Sequence, residues 1–214
     1  MTTQLDIYNG ALLHCGERFL ASLTESREPR RLLDRVWASN GIKTCLEQGQ
    51  WHFAMRTMRI DYDPDYAPDF GYEHVFDKPS DWVLTSSLCS DEFFRLPLTR
   101  YVDEGGLWYS DLETIYVRFV SDDTDYGMDL NKWPESFREF VEVHFATKII
   151  LKLSNSEDEL QKLMKLRKDL LKTAKSKAAM AEPTSFPARG NWANSRNRFP
   201  NRRDGGNTSG SLIG

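Results

Sequence analysis

Cysteine is scarce in this chain of 214 residues: only Cys15, Cys45 and Cys89 occur. An odd count with no Cys-x-x-Cys pair argues against a disulfide framework or a zinc ribbon. It predicts reduced, buried thiols and synthesis inside the cell. Long apolar runs are missing too. No stretch approaches the roughly 20 consecutive apolar residues that a spanning helix needs. The first residues lack the basic, apolar, small-residue order of a secretion signal, so the expectation is a chain that neither spans a membrane nor leaves by the standard export route. Histidine occurs four times, at His14, His52, His74 and His144, never beside a cysteine pair. There is no HExxH, no nucleophile elbow, no P-loop and no GxGxxG. The reading is therefore of no catalytic residue, no cofactor and no metal: not an enzyme.

Acidic residues are plentiful, but their spacing is unhelpful for chemistry. Asp61, Asp63 and Asp65 alternate as calcium-loop ligands do, yet Tyr66 and Tyr72 stand where that loop needs Gly and Glu. A solvated acidic loop is the better reading, and Asp122, Asp123 and Asp125 are read the same way. A hydrolase built on paired carboxylates has little support, because residues 61–130 contain seventeen acids and chance pairs are expected among so many.

What the chain does have is a regional division of charge. The formal net charge is −4. Residues 61–130 set seventeen acids against four basic residues, while 1–60 carry eight basic and six acidic, 131–180 eleven and seven, and 181–214 five and two. An acidic middle repels nucleic acid, so it would let DNA slide past without gripping it. With 40% hydrophobic and 12% aromatic residues, the chain can build one medium core, or a helical core with a small lobe.

Taken in order, residues 3–15 read as a short helix, with Thr3 and Asp6 at capping-box spacing and Gly16 as its stop. Residues 27–48 read as one longer helix, with Pro29 in its first turn and Leu33, Val36, Trp37 and Cys45 facing inward. Gly41 within it either weakens that helix or lets another approach closely. After Gln50 the period changes to two. Residues 53–60, 74–76, 82–84, 100–102, 107–109 and 115–120 read as strands of a small antiparallel sheet in a β lobe over 52–121, with a hairpin turn at Asp103-Glu104-Gly105-Gly106. Trp133-Pro134-Glu135 then starts a helix over 134–153 whose apolar residues, Phe137 through Leu153, cover most of its circumference, so it is the buried one. Ser156 and Glu159 have capping-box spacing and open a last helix over 156–180. Its stripe of Leu160, Leu163, Met164, Leu170, Leu171, Ala174 and Ala178 faces the core, and lysines share the other faces. So short a connection predicts antiparallel neighbours. The expected fold class is α+β: mainly a helical bundle over 1–181 with a small antiparallel β lobe inserted between the second and third helices, plus an extended C-terminal arm over 182–214.

The arm has no apolar periodicity. Three prolines and five glycines raise the cost of ordering it, which by itself describes a solubilising tail. Yet Phe186, Trp192 and Phe199 are interleaved with Arg189, Arg196, Arg198, Arg202 and Arg203, a mixture typical of contact residues. These eight are the candidate partner-binding residues. The arm is expected to be disordered in the free protein and to order on a partner.

Several stretches together resemble a known family. Tyr8-Asn9-Gly10-Ala11-Leu12-Leu13-His14-Cys15-Gly16-Glu17 is similar to an opening N-x-A-L-x-x-L-G-E helix, with Ser22-Leu23 following. Gln50-Trp51-His52-Phe53-Ala54 resembles a W-N-F-A junction from helix to strand, with His52 in place of Asn. Phe76 to Trp82 resembles an L-P-x-D turn, Leu107 to Val120 a pair of strands, and Trp133-Pro134-Glu135-Ser136-Phe137 a W-P-x-x-F helix start. In this order they resemble the tail tubular protein A, or portal adaptor, family of short-tailed bacteriophages, over most of residues 4–180. The resemblance implies a structural virion protein at the head-to-tail interface, held in the host cytoplasm before assembly. It implies a dodecameric homo-oligomeric ring beneath the portal protein, continuing the DNA ejection channel and offering a platform to the tail nozzle protein, with genomic DNA passing unbound. The alternative from the residues themselves is a small nucleic-acid-binding protein that uses the basic, aromatic tail.

Overall fold

The computed structural model describes residues 2–66, 68 and 71–181. Helix α1 (Gln4–His14) starts as the sequence predicts. The Thr3 hydroxyl accepts from the Asp6 N–H at 3.3 Å, and the Asp6 carboxylate accepts from the Thr3 N–H at 2.7 Å. It ends at Gly16, whose φ of +69° turns the chain so that the Glu17 N–H reaches the Leu12 carbonyl at 3.0 Å.

The single helix expected over 27–48 is instead two, α2 (Glu28–Ala38) and α3 (Gly41–Leu46). Asn40 breaks it in the left-handed region, φ 61°, which asparagine tolerates better than most residues. Gly41 also explains the new direction. A Cβ there would lie 2.7 Å from the Val36 carbonyl oxygen and 3.2 Å from the Phe145 ring, so only glycine lets α3 leave at this angle against the buried helix. Three helices therefore precede the strands, and the lobe follows the third.

The strands are β1 (Met55–Asp61), β2 (His74–Asp77), β3 (Trp82–Cys89), β4 (Val102–Glu104), β5 (Leu107–Ser110) and β6 (Thr114–Ser121). They form two three-stranded antiparallel sheets, ordered β1-β6-β3 and β2-β5-β4, where one sheet was expected. The Lys78–Asp81 turn is the reason. It passes β2 to β5 and β3 to β6 instead of folding the two onto each other as a hairpin. Strand β3 also runs five residues beyond the expected Leu84, through a half-buried Thr-Ser-Ser segment with irregular register that gives no clean alternation. Facing residues of the sheets make a small core of Phe76 and Trp108 against Leu88, Ile115, Val117 and Phe119.

The larger core lies among the helices, and α4 (Glu135–Leu153) is its centre. Phe137, Phe140, Val141, Phe145, Ile149 and Ile150 are all buried, as predicted for this helix, although Leu151 is exposed. The chain reverses at Asn155, φ 50°, and α5 (Glu157–Ala181) returns antiparallel, so that Arg167 meets His144 and Ala174 lines the same cavity as Phe137. Leu163 and Ala174 are buried, with Leu160, Leu170, Leu171 and Ala178 packed beside them. Met164, expected in this stripe, lies beyond its edge in solvent.

Two joints hold lobe to bundle. The Trp51 indole donates to the Leu46 carbonyl at 3.0 Å, closing α3, and its ring packs on Phe137 with centroids 4.7 Å apart. After β6, Gly127 presses against the Ser121 carbonyl and Leu46, and the Trp133 indole donates to the Gly127 carbonyl at 2.8 Å.

Candidate partner-binding surfaces

The aromatic joint at Trp51 does more than fill the core. Trp51, Phe53 and Phe137 form one wall of an apolar cavity of about 530 Å³, and Ala174 and Ala178 of α5 form the other. Small side chains at the end of α5 leave this space open where larger ones would close it. Its size lies in the range of about 300–1,000 Å³ typical of pockets that take a ligand or a large side chain. Glu135 and Lys177 stand exposed at its rim, and Lys175 lines an adjoining hollow. His52 lines both. Its Nε2 is buried and has no hydrogen-bond partner among the described residues.

A second feature projects from the lobe between β3 and β4. In the loop Ser90–Pro97, Phe93 is 68% exposed and Leu96 61% exposed. The loop is nonetheless tightly held. The Asp91 carboxylate accepts from the Leu96 N–H at 2.8 Å and the Arg95 N–H at 3.0 Å. The Ser90 and Leu98 amides reach the Leu96 and Leu88 carbonyls at 3.1 and 2.9 Å. Desolvation alone would raise the Asp91 pKa, but these amide hydrogen bonds outweigh it and hold the carboxyl below its ordinary value. Phe94 takes φ 56°, a conformation that costs a bulky side chain about 1–3 kcal/mol. Its ring lies under the Arg118 guanidinium, 4.9 Å away. An ordered, strained loop that offers two apolar side chains to solvent is shaped for contact.

Several acids of the lobe are engaged locally. Asp61 pairs with Arg59 and Thr114, Asp103 with Lys78, and Asp111 with Arg100. Asp81 receives Arg56 at 2.8 Å and a short bond from the Ser121 hydroxyl. In the Asp63 and Asp123 segments each carboxylate accepts from an amide two residues on, at 2.9 Å, which is turn chemistry. Among the described residues no group of three His, Cys, Asp or Glu side chains is placed to hold a metal, and no helix is long and apolar enough to cross a membrane. The three cysteines are free; Cys45 and Cys89 are buried and Cys15 partly so.

Comparison with known proteins returns no match to any protein-family model or curated protein.

Two titratable groups on α4, His144 buried and Glu142 partly so, lie away from the surfaces above. His144 accepts from Arg167 at 3.3 Å through Nδ1, because a guanidinium only donates. Burial, with Arg167 and Lys148 nearby, pushes its pKa down to about 4. Glu142 lies against Gly10 of α1, and burial raises it to about 7 despite Arg138 at 3.3 Å.

The sequence-predicted contact residues Phe186, Arg189, Trp192, Arg196, Arg198, Phe199, Arg202 and Arg203 lie outside the described residues. Sequence reasoning took Trp51, Phe53 and Phe137 as motif and core, and missed that they border a cavity. The available signal was the row of small residues at Ala174, Ala178 and Ala181. It also passed over Phe93 and Leu96, two apolar residues in an acidic loop without strand alternation.

Proposed function

We infer that this chain is a structural assembly subunit of a bacteriophage head-to-tail adaptor ring, of the kind the resemblance implies. In that reading residues 1–181 are a mainly helical body carrying the β lobe, and 182–214 are an extended arm that grips the portal protein or a neighbouring subunit through Phe186, Trp192, Phe199 and the five arginines. The ring continues the channel for genomic DNA and presents a platform to the tail nozzle protein.

One observation carries the reading. The stretches that resemble the family, in order, coincide with joints of this fold: the α1 stop at Gly16, the Trp51 junction, the Lys78–Asp81 turn and the Trp133–Phe137 helix start. A shared set of joints supports a shared architecture, and the pairing of a rigid apolar loop with an apolar cavity supports assembly over catalysis. The acidic lobe suits a lumen past which DNA slides.

The test is direct imaging. The purified full-length chain, alone and mixed with a portal ring, is viewed by negative-stain electron microscopy and sized by mass photometry. Twelve-fold rings seated on the portal support the reading; monomers that ignore the portal overturn it. The exposed lysines of α5 favour the nucleic-acid alternative, and a duplex-DNA gel shift that weakens steeply with salt would transfer support to it.

A further inference from the structure

We propose that the Ser90–Pro97 loop of one copy inserts Phe93 into the Trp51–Phe137–Ala178 cavity of a second copy. The inference rests on the ring reading and names the contact that would close the ring. Knob and socket sit on different parts of the chain, the knob between β3 and β4 of the lobe, the socket between the 3-10 turn His52–Ala54, α4 and the end of α5. A contact between unlike surfaces is heterologous, and it propagates from copy to copy until the rotation closes.

Shape, charge and polarity agree. Phe93 and Leu96 are an exposed apolar pair on a loop whose conformation Asp91 fixes in advance, so little ordering is lost on docking. The cavity is apolar and of the size for one or two such side chains. Exposed Glu92 beside the knob complements in charge a socket rim that carries Lys175 and Lys177. The same complementarity holds at larger scale. The lobe is acidic, whereas residues 162–181 of α5 carry seven basic residues against Asp169 alone. Electrostatic matching of this sort steers encounter and fixes register.

The experiment uses the full chain. A benzophenone side chain is placed at position 93, and separately at rim position 177, with light and isotopically heavy copies mixed so that links between copies are recognised. Links from 93 to peptides containing 50–54 or 174–181 of another copy, and from 177 to 90–97, are expected. Links from either probe to other segments, the arm included, overturn the proposal, as does a chain that stays monomeric. Phe93→Ser with Leu96→Ser should weaken self-association about thirty-fold or more, as loss of an interface hot spot does, with helical circular dichroism unchanged. Glu92→Lys should weaken it less, and Lys177→Glu should restore it. If the Phe93→Ser, Leu96→Ser chain still forms rings at wild-type concentration, this contact is wrong and the ring reading stands. If the wild type links 93 to 174–181 but stops at closed dimers, the contact stands and the ring reading fails.

Discussion

Lys78 locks the two sheets of the lobe together, and removing its charge should cost about 2 kcal/mol. The side chain is only 8% exposed. Its ammonium lies 3.7 Å from the Trp82 ring centroid on β3 and 5.3 Å from that of Trp108 on β5. It also reaches the Asp103 carboxylate of β4 at 2.5 Å, and Asp103 in turn accepts from the Trp108 indole at 3.1 Å. Lys78→Met keeps most of the stem and removes the cation. The lost cation–π contact, largely desolvated, is worth about 2 kcal/mol. The ion pair adds at most about 1 kcal/mol, because Asp103 is 39% exposed and can turn to water. The methionine methyl returns about 0.8 kcal/mol by burial. Lys78→Ala also loses stem packing and should cost about 3–4 kcal/mol. Urea unfolding followed by tryptophan fluorescence reads both, and in a chain of this size 2 kcal/mol corresponds to about 4–8 °C in Tm. The double variant Lys78→Met, Asp103→Asn should couple by less than about 1 kcal/mol, since the ring contact dominates. A Lys78→Met protein as stable as wild type would refute the reasoning, and coupling above 2 kcal/mol would show that the ion pair, not the aromatic cage, is the lock.

Three further predictions concern partly or fully buried groups. Glu142 holds its proton in the folded state up to about pH 7, whereas the unfolded chain loses it near 4.5. Stability should therefore fall as pH rises from about 4.5 to 7, by about 1–2 kcal/mol once the water still reaching the site is discounted. Glu142→Gln should abolish this slope in urea titrations and be the more stable protein at pH 8. Asp81 runs the opposite way: burial alone would raise its pKa, but hydrogen bonds from Ser121 and Arg56 prevail and lower it. Its stabilising contribution is present above the unfolded value of 3.8 and is lost as pH falls through the folded one. Asp81→Asn should lower the urea midpoint at pH 7 but leave little difference from wild type in strong acid. Gly127→Ala places a Cβ 2.2 Å from the Ser121 carbonyl oxygen, which cannot yield, and should cost about 3 kcal/mol by calorimetry; a loss under 1 kcal/mol would show the segment between β6 and α4 to be pliable.

Local chemistry was legible in the sequence wherever a signal sits within one turn of chain. Thr3 and Asp6 announced the α1 cap, Gly16 its stop, and Trp133-Pro134-Glu135 the start of α4, with the helix beginning at Glu135 after a Pro134 cap. The apolar density of 137–153 identified the buried helix, because a helix apolar on most sides has nowhere else to go. The β6 segment was read correctly for the same reason: Ile115, Val117 and Phe119 alternate and all point into one core. Composition also established the acidic middle and the basic C-terminal helix, since charge does not depend on packing.

What only the tertiary structure decided is which distant residues meet. Asn40 broke a helix that periodicity alone would continue, because Gly41 must fit between Val36 and Phe145, and no local window contains Phe145. The split into two sheets was likewise invisible, since a Lys-Pro-Ser-Asp turn serves a hairpin or a crossover equally well and the choice belongs to β5 and β6. The cavity exists because Ala174 and Ala178 stop short of Phe137 and of Trp51, the last more than a hundred positions away along the chain. Burial is a property of the assembled surfaces, so sequence could name the aromatic residues but not the space between them.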